Sequence, residues 1–185
     1  MTGGTINKNG TTTSFIIASG AGNNTIINSG TFNISGGTVN SASEFWIAEN
    51  NLTTGTNNIS GTASINIHNY VRVGNGGFGV VNFTNGQFNS DTQPLIVGVS
   101  GGGTGVWNQV GGALTVNQEI WLGQGATNAF GTVNLNGGTI TNTSWLAVGR
   151  QGGSGVFNIN SGTYVRSGAG GGANGPNVTI AAGGG

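Results

Sequence analysis

Residues 144–166, SWLAVGRQGGSGVFNINSGTYVR, contain the pattern that decides the fold. Short runs of alternating apolar and polar residues are separated by glycine clusters, and the stretch holds only two charges. Residues 119–141, EIWLGQGATNAFGTVNLNGGTIT, show the same pattern 25 residues earlier. Alternation with a period of two is typical of β-strands, and a high density of glycine, asparagine, threonine and valine disfavours helix. The sequence therefore predicts an all-β chain built from a repeated unit.

The repeated unit recurs along most of the chain and can be aligned on one asparagine per unit. The six aligned asparagines are separated by 25, 24, 26, 26 and 24 residues. They are Asn33, Asn58, Asn82, Asn108, Asn134 and Asn158. An alternating run that ends in Gly or Ala comes before each of them, as in EFWIA at 44–48 and WLAVG at 145–149. A fixed period of this length indicates a solenoid, in which each turn stacks on its neighbours.

Each unit contains three alternating runs bounded by glycine, which predict three short strands and three corners per turn. The predicted fold class is a right-handed parallel β-helix, or β-solenoid, with 24–26 residues per turn and roughly six to seven turns. We expect one domain over residues 1–185, with a partial coil at 1–12, regular coils at 13–166, and a loop with a partial coil at 167–185. The partial coils predict a segment of a longer array.

The same alternation assigns side chains to the core. In the last units the residues predicted to point inward are Leu146, Val148, Phe157, Ile159, Tyr164, Val178 and Ile180. Glycines at the corners are expected to adopt the positive φ that other residues rarely adopt.

Composition limits the classes of function. Hydrophobic residues make up 35% of the 185 residues and charged residues 4%, with 40 glycines, no cysteine and a formal net charge of zero. The absence of a basic surface argues against nucleic acid as a partner. Without cysteine there can be no disulfide and no thiolate metal site. No apolar run is long enough for a membrane helix, and the N-terminus does not resemble a signal peptide, so we expect no membrane insertion by this segment.

The pattern G-x-apolar-Asn-apolar-x-Gly-Gly-Thr-apolar, followed by apolar-x-Val-Gly and a glycine-rich corner, resembles the autotransporter-associated β-strand repeats. The resemblance covers roughly residues 13–182, and the stretches 19–29 and 167–177 depart from it as longer loops. It implies a bacterial cell-surface or secreted protein, exported by a signal that is not present in this chain. It implies no catalytic residues.

The asparagine column is the first candidate site. Because these residues recur at one position of every turn, their amides are expected to hydrogen-bond along the solenoid axis as a ladder. A row of polar groups that meets a ligand is the functional alternative. We favour the structural ladder, since it requires no ligand.

The outward surface of the first strand is the second candidate site. One predicted outward column contains Ser14, Glu44, Tyr70, Pro94, Glu119, Trp145 and Asn177. The other contains Ile16, Trp46, Arg72, Ile96, Trp121, Ala147 and Thr179. Exposed aromatic rings on a flat sheet can stack on sugar rings, and nearby charged groups can bind hydroxyls. The residues predicted to contact a glycan or a protein partner are Trp46, Tyr70, Arg72, Glu119, Trp121 and Trp145. Two structural readings remain open: Arg72 stacked on Trp46 as a cation–π pair, and packing of the rings against another protein surface.

Catalysis is not expected. Glu44 and Glu119 share a column but lie three turns apart, roughly 14 Å at the spacing of β-strands. Glycoside hydrolysis typically needs two carboxyl groups about 5–9.5 Å apart. Asp91 is predicted to lie in a corner and His68, the lone histidine, at a strand start, so no triad, metal site or cofactor site is expected.

These observations predict a non-enzymatic extracellular solenoid with a structural or adhesin-like function. Its expected partners are polysaccharide, through the aromatic face, and neighbouring solenoid copies packed end to end or face to face. The alternative is a carbohydrate-binding module or a carbohydrate-active parallel β-helix of the polysaccharide lyase or hydrolase kind.

Overall fold

A computed structural model describes residues 1–20, 27–99, 101–125, 127–168 and 178–182, with only the backbone described at 179–182. The side chains of Thr179 and Ile180, all of Asn177, and most of the predicted loops at 19–29 and 167–177 therefore lie outside what is described. The described residues form eighteen strands, numbered β1 to β18 along the chain. No helix in these ranges has the length and apolarity needed to cross a bilayer.

The strands stack as three parallel faces. The first face consists of β2 (Phe15–Ile17), β5 (Phe45–Ile47), β8 (Val71–Asn75), β11 (Leu95–Val99), β14 (Ile120–Gln124), β16 (Leu146–Arg150) and β18 (Val178–Ala182). The second face consists of β3 (Asn28–Ile34), β6 (Thr53–Ile59), β9 (Phe78–Phe83), β12 (Thr104–Gln109) and the N-terminal parts of β15 (Phe130–Asn142) and β17 (Ser154–Arg166). The third face consists of β1 (Thr5–Lys8), β4 (Thr38–Ser41), β7 (Ser64–Ile67), β10 (Gln87–Ser90), β13 (Ala113–Val116) and the C-terminal parts of β15 and β17.

Every described strand pairs in parallel with the equivalent strand of a neighbouring turn, and the described strands make about six turns. Both β15 and β17 run continuously from the second face into the third, with a register irregularity between Leu135 and Thr139 where they bend. The predicted all-β parallel solenoid with three strands per turn is therefore confirmed.

The inward columns form one continuous core. Most predicted inward side chains are buried, including Phe45, Phe83, Trp107 and Leu122, and the rings of neighbouring turns contact one another edge to face. Each side chain packs on its equivalents one turn above and below, which is how a repeat buries an apolar face that it cannot bury alone.

The core opens at its last turn. Ile159 pairs with Leu135 in the expected column but is 54% exposed, and Val178 is 57% exposed. Both side chains have the predicted register, but the prediction that they are buried is wrong. They are exposed because no described strand lies beyond β17 and β18 on this side. An apolar cavity of about 310 Å³ is lined there by Leu146, Val148, Phe157, Ile159, Tyr164 and Val178.

Two inward positions carry polar side chains. Gln109 is buried between Phe83 and Leu135, where its Oε1 accepts the Nε1–H of Trp107 at 3.2 Å. Its Nε2 donates to the carbonyl oxygens of Gly112 (3.3 Å) and Thr139 (3.0 Å). The amide of Gln109 is therefore fully engaged.

Asn57 is buried in the same face between Phe32 and Val81. Neither its Nδ2 nor its Oδ1 has a hydrogen-bond partner among the described groups. An unpaired buried amide costs roughly 1–3 kcal/mol in mutational data. Asn57 is therefore a locally unfavourable element of the core.

The Gly or Ala that closes each run of the first face has a specific backbone requirement. This position has a positive φ in six successive turns: Ala18 (62°), Ala48 (60°), Gly74 (73°), Gly98 (75°), Gly123 (66°) and Gly149 (74°). At Gly123 the backbone of the next turn approaches so closely that an added Cβ would lie 1.8 Å from the carbonyl oxygen of Ser154. Glycine is required there by both the left-handed backbone and the close approach.

Candidate functional site

The predicted asparagine ladder is present on the second face. The six asparagines occupy one register column, and each Nδ2 donates to the Oδ1 of the asparagine one turn earlier. Along the column from Asn58 to Asn158 the five donor–acceptor distances are 2.7, 2.8, 3.1, 2.9 and 2.8 Å. Because each amide inside the row both donates to and accepts from its neighbours, the row itself satisfies these groups.

A second ladder, which the sequence alignment missed, lies on the third face. Asn40, Asn66 and Asn89 donate in turn to Asn7, Asn40 and Asn66 over 2.9, 2.9 and 2.8 Å. The column then continues with Thr115 and Thr141, which ends the amide row. Aligning the third strand of each unit as closely as the second strand would have shown this ladder. Both ladders act along the solenoid axis, which supports their structural interpretation.

The two outward columns of the first face have the predicted register, but Pro94, Ile96 and Ala147 in them are buried. Register pairs Trp46 with Arg72, and Trp121 with Ile96 and Ala147. In the other column, the carbonyl oxygens of Tyr70 and Trp145 each accept a backbone hydrogen bond of 2.9 Å from the preceding turn. The side chains do not form one continuous row of rings, because Ile96 lies buried between Arg72 and Trp121. They form two separate clusters.

The first cluster consists of Glu44, Trp46, Tyr70 and Arg72, from two neighbouring turns. Glu44 Oε2 accepts the Nε1–H of Trp46 at 2.5 Å and lies 3.1 Å from Arg72 Nε as an ion pair. The guanidinium carbon of Arg72 lies 4.9 Å from the ring centroid of Tyr70 and 5.7 Å from that of Trp46. The cation–π pair considered from the sequence is therefore present, and Glu44 neutralises its charge.

The second cluster consists of Glu119, Trp121, Trp145 and Arg150, three turns further along the axis. Glu119 Oε2 accepts the Nε1–H of Trp121 at 2.6 Å. The guanidinium carbon of Arg150 lies 3.9 Å from the ring centroid of Trp121 and 5.4 Å from that of Trp145. Sequence reasoning missed Arg150, because it lies at the end of β16 and not in either outward column of the strand.

The aromatic rings of the face are half-buried. Trp46, Tyr70, Trp121 and Trp145 are all intermediate in exposure, as are Arg72 and Arg150. A guanidinium covers part of the ring surface in each cluster, and two of the indole N–H groups already donate to carboxylates. The face therefore presents two compact sites that combine aromatic, cationic and acidic groups, which differs from a bare aromatic platform.

His68 and Asp91, which the sequence analysis considered separately, are brought together. His68 Nδ1 lies 2.6 Å from Asp91 Oδ2 at the corner between the third and first faces. They are separated by 23 residues, close to the length of one turn, so the repeat period could have predicted that they are neighbours. No group of three His, Asp or Glu side chains that could hold a metal ion occurs in the ranges that the structure describes.

Among the described residues, Tyr164 has a hydroxyl whose pKa is clearly shifted. Burial raises the pKa of its hydroxyl from 10.0 to about 12, and the positive charge of Arg166 opposes part of that rise. The hydroxyl donates to Asn142 Oδ1 at 3.1 Å. The group therefore remains protonated at neutral pH and contributes to packing.

Comparison with known proteins finds no matching family, no matching curated protein and no matching solved structure. The resemblance to the autotransporter-associated repeats stays a prediction.

Proposed function

We propose that this chain is a non-enzymatic structural β-solenoid of a bacterial cell surface or extracellular matrix, with an adhesin-like function. The observation that carries the proposal is the unbroken asparagine ladder from Asn33 to Asn158. This ladder and the apolar core run along the same axis. Each turn is therefore joined to the next by backbone hydrogen bonds, amide hydrogen bonds and apolar contacts. Repeats joined in this way form a stiff rod that lengthens by about 4.8 Å per turn.

The first face supports a contact with glycans as part of this function. Each cluster combines indole or phenol rings with an arginine and a glutamate, the groups that bind the apolar faces and the hydroxyls of sugars. Neighbouring copies of the solenoid, packed end to end or face to face, are the other proposed partners.

The second candidate function is a carbohydrate-binding module, and the two first-face clusters favour it. The carbohydrate-active enzyme version has less support. Glu44 and Glu119 belong to strands three turns apart, roughly 14 Å, and each already binds an indole N–H. This arrangement does not match the paired carboxyl groups of a glycosidase.

Pulling the chain from its two ends by single-molecule force spectroscopy tests the structural function. The turns should detach one at a time at similar forces, because each has nearly the same neighbour contacts. Each step should release about 80–90 Å of chain, since 24–26 residues extend by about 3.3–3.6 Å each. Collapse in one low-force event would contradict a load-carrying function.

Retention on a panel of insoluble polysaccharides tests the glycan contact. The double variant Trp121→Ala/Trp145→Ala should lose retention with little change in the thermal unfolding midpoint. If the variant instead changes oligomer size, the face is an assembly surface. If only the thermal unfolding midpoint falls, the rings serve to cover the sheet and bind no partner.

A further inference from the structure

The two clusters of the first face share an architecture and differ in how the arginine is paired. In both, a glutamate binds the Nε1–H of a tryptophan two residues later, and an aromatic residue follows in the next turn. In the first cluster, Arg72 occupies the position paired with Trp46, and Glu44 forms its ion pair. Arg72 therefore has a carboxylate partner within the first cluster.

In the second cluster the position equivalent to Arg72 is Ala147, which pairs with Trp121. The cation comes instead from Arg150, whose backbone pairs with Gln124 at the end of the strand. Its guanidinium contacts the Trp121 ring at 3.9 Å. Arg150 therefore contacts the Trp121 ring without an ion pair to Glu119, whereas Arg72 forms an ion pair with Glu44.

Each acidic side chain of the chain contacts a group other than Arg150, including Glu119, which lies in the same cluster. The sequence contains four of them, all within the described ranges. Glu44 pairs with Arg72, Asp91 with His68, Glu49 accepts from Ser19, and Glu119 accepts from Trp121. Among the described residues Arg150 forms no ion pair, and its Nη1 donates only a long hydrogen bond, 3.5 Å, to Gln151 Oε1.

A guanidinium that contacts a ring face and forms no ion pair can bind a carboxylate. Its N–H donors lie around its edge, so contact with a ring face leaves donors for a planar, two-oxygen acceptor. A half-buried cation gains more from an anionic ligand than a fully exposed one. Gln124 and Gln151, joined by a 2.8 Å hydrogen bond, place amide groups next to the guanidinium.

We propose that Arg150, supported by Trp121 and Trp145, binds the carboxylate of an acidic polysaccharide. This inference rests on the proposed glycan contact of the first face and specifies the sugar that would be bound. The carboxylate of the sugar binds Arg150, the face of its ring stacks on the indoles, and its hydroxyls bind the glutamine amides. An acidic peptide offers the carboxylate but no hydroxyl-bearing ring, so the amides and indoles favour the uronate sugar. Binding through Arg150 weakens as salt screens the pair.

The test uses the full 185-residue chain and two forms of one polymer. Oligogalacturonate carries a carboxylate on each sugar, and its methyl ester has the same sugar ring without the charge. We expect the chain to bind the acid form at least about tenfold more tightly than the ester, the ratio for one charge-assisted pair. Arg150→Gln should abolish this preference, and Arg150→Lys should restore part of it.

The matched control is Lys8→Gln, which removes a cation of the third face, away from both clusters. It should leave the acid-to-ester preference unchanged, and circular dichroism should show that Arg150→Gln, Arg150→Lys and Lys8→Gln all fold. If Lys8→Gln removes the preference as completely as Arg150→Gln, the assignment to Arg150 is wrong.

The remaining outcomes separate this inference from the proposed function. Equal binding of acid and ester, lost in Trp121→Ala/Trp145→Ala, overturns the carboxylate inference and leaves the glycan contact standing. No binding of either polymer overturns both the inference and the glycan contact, whereas the structural function is judged by the pulling experiment. Binding of poly-glutamate as tight as that of oligogalacturonate rejects the sugar as the specific partner.

Discussion

Asn158 Nδ2 donates a hydrogen bond of 2.8 Å to Oδ1 of Asn134, 24 residues earlier in the chain and one turn away along the axis. The same relationship joins every neighbouring pair of the row back to Asn33, always with the later residue donating. A residue inside the row therefore takes part in two amide hydrogen bonds, whereas a residue at either end takes part in one.

This difference predicts a position effect within the ladder. Asn108→Ala removes two hydrogen bonds and should lower the free energy of unfolding by about 1–3 kcal/mol, since a net hydrogen bond contributes about 0.5–1.5 kcal/mol. Asn158→Ala removes one and should cost about half as much. Urea unfolding followed by circular dichroism measures both variants. Equal losses would show that the ladder adds nothing beyond strand propensity.

The unpaired amide of Asn57 predicts a stabilising substitution. Asn57→Val replaces it with a β-branched apolar side chain in a column next to Phe32 and Val81, and should raise the free energy of unfolding by about 1–3 kcal/mol. Thermal and urea unfolding provide the measurement. Gln109→Leu is the control at an equally buried position and should destabilise the protein, because it removes the acceptor of the Trp107 indole N–H. Destabilisation by Asn57→Val would point to a bound water that satisfies the amide.

Two glycine substitutions separate backbone strain from steric overlap. Gly101 has φ 79° with nothing within 4 Å of an added Cβ, so Gly101→Ala should cost only about 1–2 kcal/mol for the left-handed backbone. Gly123→Ala adds an overlap with the Ser154 carbonyl at 1.8 Å, and should cost clearly more or prevent folding. The unfolding midpoints of the two variants give the comparison. Similar small losses would mean that neighbouring turns can move apart easily.

Tyr164 predicts a loss of stability at alkaline pH. Burial raises the pKa of its hydroxyl from 10.0 in the unfolded reference to about 12 in the fold. Between these values the unfolded chain has released the proton while the folded chain retains it, so stability falls as the pH rises through this window. The unfolding midpoint of the protein should therefore decrease more steeply from pH 10 to 12 than that of Tyr164→Phe. If the unfolding midpoints of the two proteins fall equally with pH, the loss of stability does not come from Tyr164.

The sequence alone determined the period, the three faces and the side of each strand that forms the core. In a solenoid, equivalent positions of successive units become neighbours in space, so a column in the aligned sequence is also a column of contacts. For this reason the six asparagines, the buried pairs such as Phe45 and Ile47, and the outward position of Trp46 and Trp121 could all be predicted without coordinates.

Tertiary structure decided which polar groups find partners. Asn57 and Gln109 lie in the two different inward columns of the second face, and only Gln109 reaches hydrogen-bond partners, because its longer side chain, nearer the strand end, extends to the carbonyl oxygens of Gly112 and Thr139. Arg150 starts from a strand end outside the outward columns and reaches Trp121 through its flexible side chain, while Arg72 is held by Glu44 from the neighbouring turn. Periodicity specifies where each backbone lies, but the direction and reach of long polar side chains depend on the atoms around them. For this reason the different pairing of the arginines in the two clusters could be seen only in three dimensions.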